Sequence, residues 1–410
     1  MNFEKFVAKR LHTEKNLQHS ISKPILKMAI AAVSLSITVM ILAIATGKGL
    51  QEKISAKVTG FTSDIQVAVL DLNQSLEVAP ILADSSLLQK FYNIDGVAHI
   101  QTQITKNGLI KTETEFEGIV IKGIDENFDW SFVNSHLIEG NCPKYQSSKK
   151  SNSVLISQKL SQKMSLGVND NALFYFQGKN NNQPFVRKFK IEGIYETGIE
   201  LFDDLYVFAD QKHLRKMNRW SENQCSSIEL KVKEGFDHQQ VLAEVENNSP
   251  FDTRVMSAQD SYSQIFDWIK LFDMNIGIIL LIMIIVACIN MISSLLIIIL
   301  ERTKMIGLMK AIGAAQISIK KIFLYHAFYL LRKGLILGNG IGLSLIGIQH
   351  FFAPIQLDPE HYYVKSLPVL LSPENWLMIN LFSIVICMSM LIIPSLLIQK
   401  VDPIKALRYE

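Results

Sequence analysis

Four stretches of the 410-residue chain are almost free of charge. Residues 28–47, 274–300 and 375–399 hold no charged side chain, and residues 334–357 hold only His350. Each is long enough for the ~20 apolar residues that cross a bilayer. Lipid offers the backbone no hydrogen-bond partners, so these runs are predicted to be transmembrane helices. The first has a rival reading as a cleaved signal peptide, because Ala43-Ile44-Ala45 has a small-x-small pattern. The leader before it is too long and the run exceeds an h-region of about 7–15 residues, which favours an uncleaved helix.

Between the first two runs the pattern changes. Ile65, Val67 and Val69 alternate with polar or small residues, as do Ile228, Leu230 and Val232. A period of two marks half-buried strands. Residues 153–157, 172–176, 188–195 and 205–208 read the same way, and 158–166 reads as a helix stopped by Gly167. Residues 48–273 are therefore expected to form an α+β domain. Residues 48–58 and 257–272 have helical patterns that prolong the first and second spans. Residues 177–183 (QGKNNNQ) and Pro184 lie between two strand candidates and have the composition of a hairpin loop.

Composition agrees with a membrane protein: 49% of residues are hydrophobic and 19% charged. A net charge of only +3 gives no broad basic field, so no nucleic-acid partner is expected. Four cysteines do not make a disulfide scaffold. Cys142 and Cys225 are expected as free thiols rather than a pair, and Cys288 and Cys387 as packing residues within spans. Lys and Arg set the topology. Lys5, Lys9, Arg10, Lys15, Lys23 and Lys27 precede the first run, and Arg302, Lys304, Lys310, Lys320, Lys321, Arg332 and Lys333 lie between the second and third. Both termini and that loop are thus expected in the cytoplasm.

The expected order is a cytoplasmic segment (1–27), a first span (28–47), an outer domain (48–273) and a second span (274–300). A cytoplasmic and interfacial segment (301–333) follows, then a third span (334–357), a short outer loop (358–374), a fourth span (375–399) and a cytoplasmic tail (400–410). Phe323, Tyr325, Phe328 and Tyr329 are expected at headgroup level, with Arg332 and Lys333 snorkelling. Gly334, Gly338 and Gly342 recur every four residues and give one helix face a smooth stripe for close packing. Pro394 should kink the fourth span.

Much familiar chemistry is missing. The sequence has no GxxxxGK[ST], HExxH, GxSxG or CxxC, and its nine histidines show no metal-ligand spacing. No acidic residue sits within a span, which disfavours an ion-coupled carrier. An enzyme is not expected, nor is a cofactor or metal in this chain.

Residues 301–314 (ERTKMIGLMKAIGA) are the most informative. Met305, Ile306, Leu308, Met309 and Ile312 fall at offsets 0, 1, 3, 4 and 7, which is one helix face. Lys304 and Lys310 lie off it, and Gly313 can end the helix. Such a face can cover itself with lipid or dock into a partner's groove. The pattern resembles the cytoplasmic signature of FtsX-like ABC permeases. The ending Asp402-Pro403-Ile404-Lys405-Ala406-Leu407-Arg408 is similar to that family's terminal motif. The block from Val154 through Val168 and the segment from Tyr362 to Val369 resemble elements of the LolC/LolE lipoprotein-releasing permeases.

The resemblance implies an α-helical four-span transmembrane domain plus a large α+β extracytoplasmic domain of MacB-like periplasmic kind, in a bacterial inner membrane. It also implies a separate ABC ATPase subunit (LolD-like) that uses ATP and Mg. A second permease chain (homodimer or LolC/LolE-type heterodimer), a periplasmic lipoprotein carrier (LolA-like) and an acylated lipoprotein cargo complete the set. Glu301 and Arg302 would orient the coupling helix, and Met305, Ile306, Leu308, Met309 and Ile312 would enter the ATPase groove, with Lys310 and Gly313 in the same segment. Gln177, Gly178, Lys179, Asn180, Asn181, Asn182, Gln183, Pro184, Phe185 and Arg187 occupy the place of a carrier-binding hook, though their Asn and Gln content departs from the family. Val39, Leu42, Ala43, Ile276, Ile279 and Met283 are candidates for a cargo cavity, with ordinary packing or lipid-facing surface as the alternative. The rivals are a MacB-type efflux or mechanotransmission permease, an FtsX-like regulator of a cell-wall hydrolase, and an unpartnered anchor.

Overall fold

The structure is a computed structural model that describes residues 3–13, 22–70, 79–112, 115–146, 148–177, 184–396 and 398. The chain forms two compact units. One comprises residues 1–52, 268–356 and 366–410, the other residues 53–267 and 357–365. The expected outer domain, 48–273, thus loses a few residues at each end and gains 357–365 from the third–fourth connection.

Along the chain the elements are α1 (Phe3–Thr13), α2 (Ser22–Thr62), β1 (Ile65–Val69), β2 (Ile81–Leu82), α3 (Ser85–Tyr92), β3 (Val97–Lys111) and β4 (Phe116–Ile124). Next come α4 (Ser131–Ser135), β5 (Leu137–Gly140), β6 (Ser153–Ser157), α5 (Gln158–Met164), β7 (Asn171–Phe176) and β8 (Phe185–Tyr195). They are followed by α6 (Glu200–Leu205), β9 (Tyr206–Asp210), α7 (Gln211–Asn218), β10 (Gln224–Cys225), β11 (Ser227–Val232), α8 (His238–Asn248), β12 (Thr253–Ser257) and α9 (Ala258–Ser261). The last are α10 (Ser263–Glu301), α11 (Thr303–Ala311), α12 (Gln316–Phe352), α13 (Pro359–Tyr362), α14 (Pro373–Met390) and α15 (Ile392–Ser395).

The first unit is helical. Among the described residues, four helices are long and apolar enough to span a bilayer: Pro24–Thr62, Ser263–Glu301, Gln316–Phe352 and Pro373–Ser395. Val33, Ile37 and Ile41 of α2 share a core with Met291 and Leu295 of α10 and Phe323, Ala327 and Leu331 of α12. Phe323 is therefore fully buried rather than at a lipid headgroup. Arg332 lies over the Tyr329 ring at 5.7 Å, and Lys5 of α1 over Tyr325 at 5.6 Å. The third span is continuous with the preceding segment as α12 and stops at Phe352, short of 357, where Ala353 turns left-handed (φ 43°). The fourth helix breaks at Leu391. Pro394 donates no N–H, and its ring crowds the carbonyl four residues back. Cys288 and Cys387 are free thiols that share a hydrogen bond, their sulfurs 3.8 Å apart.

The second unit is built on one large sheet ordered β12-β1-β11-β3-β4-β9-β6-β8-β5, with β7 joining β3 to β8. Strands β3, β4, β9, β6, β8 and β7 thereby close a circuit of hydrogen-bonded neighbours. The β4–β9 and β6–β8 pairs are parallel and the others antiparallel. Ile104, Ile121, Phe174, Phe189 and Val207 point into its core. Helix α5 ends earlier than its glycine suggested. Ser165 takes the left-handed turn (φ 52°), and the Gly167 N–H bonds Asp170 instead. Ser257 closes β12 and opens α9 through a reciprocal capping box with Asp260, so residues 257–272 are not one helix. Cys142 and Cys225 are free.

Candidate functional site

Helices α10 and α11 meet at Arg302, whose backbone (φ −97°, ψ 19°) leaves the helical path. The Thr303 hydroxyl donates to the Leu300 carbonyl at 2.6 Å, satisfying an acceptor that the break frees. At the far end the Gly313 N–H donates to the Lys310 carbonyl and the Ala314 N–H to that of Met309. Gly313 sits at φ 88°, a conformation that any side chain would strain. The helix is therefore short and sharply bounded.

Its five candidate apolar residues do not share one exposed face. Ile306 is 0% exposed inside the helical core, and Met305 and Met309 pack partly against that core. Leu308 is 55% and Ile312 76% exposed. Ile306 is thus an anchor for α11 and not a groove contact. One turn apart, Leu308 and Ile312 present an aliphatic pair to the surroundings, with Lys304 a turn before them. Glu301 is exposed and Arg302 half-buried at the junction, while Lys310 is half-buried.

Gly334, Gly338 and Gly342 line the face of α12 against α2. An added Cβ would lie 2.6 Å from Val33 Cγ1, 2.7 Å from the Ser34 carbonyl oxygen and 3.4 Å from Ile41 Cβ, respectively. The close approach lets the Thr38 hydroxyl donate to the Gly338 carbonyl at 3.0 Å. The six cargo-cavity candidates differ in burial. Ile276 packs against Gly47 and Ile279 is exposed, while Val39, Leu42, Ala43 and Met283 are half-buried. In the second unit, β7 and β8 form a hairpin whose register ends at Phe176–Phe185. Gln177, Pro184 and Phe185 are exposed and Arg187 is half-buried. Gly178, Lys179, Asn180, Asn181, Asn182 and Gln183 lie outside the described residues, as does the 402–408 motif.

Two polar arrangements escaped the sequence reading. Asn339 of α12 and Asn380 of α14 exchange amide hydrogen bonds (2.7 and 3.1 Å), and the Trp376 indole donates to Asn339 at 2.6 Å. Asparagines in charge-free runs were the visible signal, but not their pairing. In the second unit the Lys57 ammonium donates to the carbonyls of Thr197 and Tyr363, at 2.5 and 2.7 Å. Lys365 pairs with Glu196 at 2.6 Å. These contacts hold the 357–365 segment to that unit. Among the described residues no cluster of His, Cys, Asp or Glu could hold a metal.

Comparison with known proteins places this architecture. The model of the MacB-like periplasmic core domain matches residues 28–248, and that of the FtsX-like permease C-terminal domain matches residues 277–403. The lipoprotein-releasing system transmembrane protein LolE of Haemophilus influenzae is 18% identical over 93% of this chain and 94% of its own length. LolC of Neisseria meningitidis serogroup B is 20% identical over 93% and 94%. An uncharacterized membrane protein of Buchnera aphidicola subsp. Schizaphis graminum is 24% identical over 93% and 88%. The chain belongs to the family defined by the MacB-like periplasmic core domain and carries the FtsX-like permease domain after it. It is an ABC transporter permease of the FtsX/MacB/Lol class and a bacterial inner-membrane protein.

Proposed function

We propose that this chain extracts lipoproteins from the outer leaflet of the inner membrane and passes them to a periplasmic carrier, driven by a separate ATPase subunit. The observation that carries the reading is the Leu308–Ile312 pair, exposed on a helix that Ile306 ties into the helical core. An apolar pair on a firmly seated helix suits a groove in a partner that must push as well as bind. ATP and Mg would be held by that ATPase, and a second permease chain would complete the cavity. The names of the LolE and LolC relatives support the cargo class. Each buried acyl CH₂ holds about 0.8 kcal/mol, so removing lipidated protein from a bilayer requires external work. Helices α2 and α10, which contribute residues to both units, would carry the motion. Phe185 and Val186 at the β7–β8 hairpin suit contact with a carrier.

Proteoliposomes holding this permease, its ATPase and a triacylated lipoprotein test the reading. ATP-dependent appearance of the lipoprotein on a soluble carrier is expected. Hydrolysis without release would contradict it. The MacB-like domain match favours a second reading, an efflux or mechanotransmission permease. ATP-dependent movement of a small molecule or peptide, with the lipoprotein left in the bilayer, would select that reading.

A further inference from the structure

The second unit holds a cleft of about 650 Å³ between α3, α7 and the Glu222–Cys225 segment. That size falls within the range of about 300–1,000 Å³ typical of ligand sites. Its polar lining is incompletely satisfied. Gln211 is 6% exposed, and its side-chain oxygen has no hydrogen-bond partner among the described residues. One turn further along α7, the Nε of Arg215 is likewise buried without a partner. Such groups are costly to leave unpaired, more so when charged. Residues four apart share a helix face, so a missing donor for Gln211 and a missing acceptor for Arg215 lie side by side.

The neighbouring charges are largely engaged. Asp210 accepts from the backbone N–H groups of Ser151 and Lys212, and Asp125 from Thr102 and the Asn127 N–H. The Lys212 ammonium is bound by the carbonyls of Gln146 and Lys149. Burial pushes the Cys225 thiol up to about 12, so it is neutral and supplies no anion for Arg215. Glu126, Glu222, Lys150 and Lys216 stand exposed at the rim. Among the described residues the cleft thus offers a half-buried guanidinium whose Nε lacks a partner, one buried acceptor, and apolar surface from Trp220, Tyr92 and Leu88.

We propose that this cleft binds a peptide segment through a carboxylate on Arg215 and a backbone N–H on Gln211, with an adjoining side chain against Trp220. The buried acceptor oxygen of Gln211 beside Arg215 would face the oxygens of a phosphate with no donor between them, which favours a ligand that carries an N–H as well as a negative charge. A peptide supplies both.

The test uses the full chain in lipid nanodiscs and follows tryptophan emission, with Trp220→Phe identifying the responding residue. Two probes separate the sources of the carboxylate: Ala-Ala-Ala with a free C-terminus, and acetyl-Ala-Glu-Ala-amide. Saturable binding of the first assigns a chain terminus, and of the second an acidic side chain. In either case Arg215→Gln should weaken binding at least tenfold, Arg215→Lys less, and Gln211→Ala severalfold. Acetyl-Ala-Ala-Ala-amide should not bind. No binding of either acidic probe, equal binding of the blocked peptide, or full binding to Arg215→Gln would overturn the proposal. If Arg215→Gln lowers the unfolding midpoint, salt titration of the native chain replaces it. Affinity that falls with salt supports the assignment, and salt-independent affinity refutes it.

Discussion

The two units bury polarity in different ways. In the sheet unit Lys122 and Glu229 are each 2% exposed and form an ion pair at 3.0 Å. The same ammonium donates to the Phe61 carbonyl at 2.9 Å, and Gln101 donates to the carboxylate at 2.7 Å. In the helical unit the polar cluster is neutral: two asparagines and an indole. A full charge can stay buried where strands converge enough dipoles and a counter-ion around it. A unit surrounded by hydrocarbon has no such supply and uses amides that satisfy one another.

This contrast can be broken at its strongest point. Glu229→Ala should cost the sheet unit about 3–5 kcal/mol, because it strands a buried ammonium. The double variant Lys122→Met/Glu229→Leu should cost much less than either single change. Urea unfolding followed by hydrogen exchange in β3 and β4 measures both. Equal losses in the single and double variants would show that the pair is not the source.

Next in size is the glycine stripe. Gly338→Val places carbon where the Ser34 carbonyl and Ile37 already lie, and should cost about 1–3 kcal/mol. Gly340 meets nothing within 4 Å, so Gly340→Ala should stay within about 0.5 kcal/mol. Unfolding in mixed micelles compares the two. In the same assay Asn339→Leu should cost about 0.6–1.7 kcal/mol, the range of hydrogen bonds between membrane helices.

The smallest effect is electrostatic. Burial alone would raise the Asp129 carboxyl, but hydrogen bonds from Lys231 and Ser131 override it and hold the group at about 2, below its ordinary 3.8. A depressed carboxyl stabilises the fold above its unfolded value, and that support is lost as pH falls through about 2. The pair is half-buried, with Lys231 22% and Asp129 30% exposed, and solvent still reaches it, so screening limits the contribution to about 1 kcal/mol. The stability gap between native protein and Asp129→Asn should therefore close between about pH 4 and pH 2. A gap independent of pH would remove Asp129 as its cause.

These outcomes also show what was legible in the sequence. The spans were visible because a bilayer demands long charge-free runs. The strands at Ile65 and Ile228 were visible because a half-buried sheet imposes a period of two. The division of labour on α11 was not. Five apolar offsets define an arc but do not say which part the chain itself covers, so Ile306 and Ile312 looked alike. The Asn339–Asn380 pair and the Lys122–Glu229 pair join residues far apart in sequence, and no local pattern records them. Residues 358–374 read as a short outer loop with a family resemblance from Tyr362 onward, but its attachment was hidden, because the ammonium that holds it, Lys57, lies near the other end of the chain.

The most direct test of the central claim is co-purification of the ATPase subunit with a Leu308→Asp/Ile312→Asp permease. Ile306 and the core stay intact in this variant, so the permease should remain folded and in the membrane. The account predicts that the ATPase is lost from the complex. An ATPase that still co-purifies at the native ratio and hydrolyses at the native rate would contradict it.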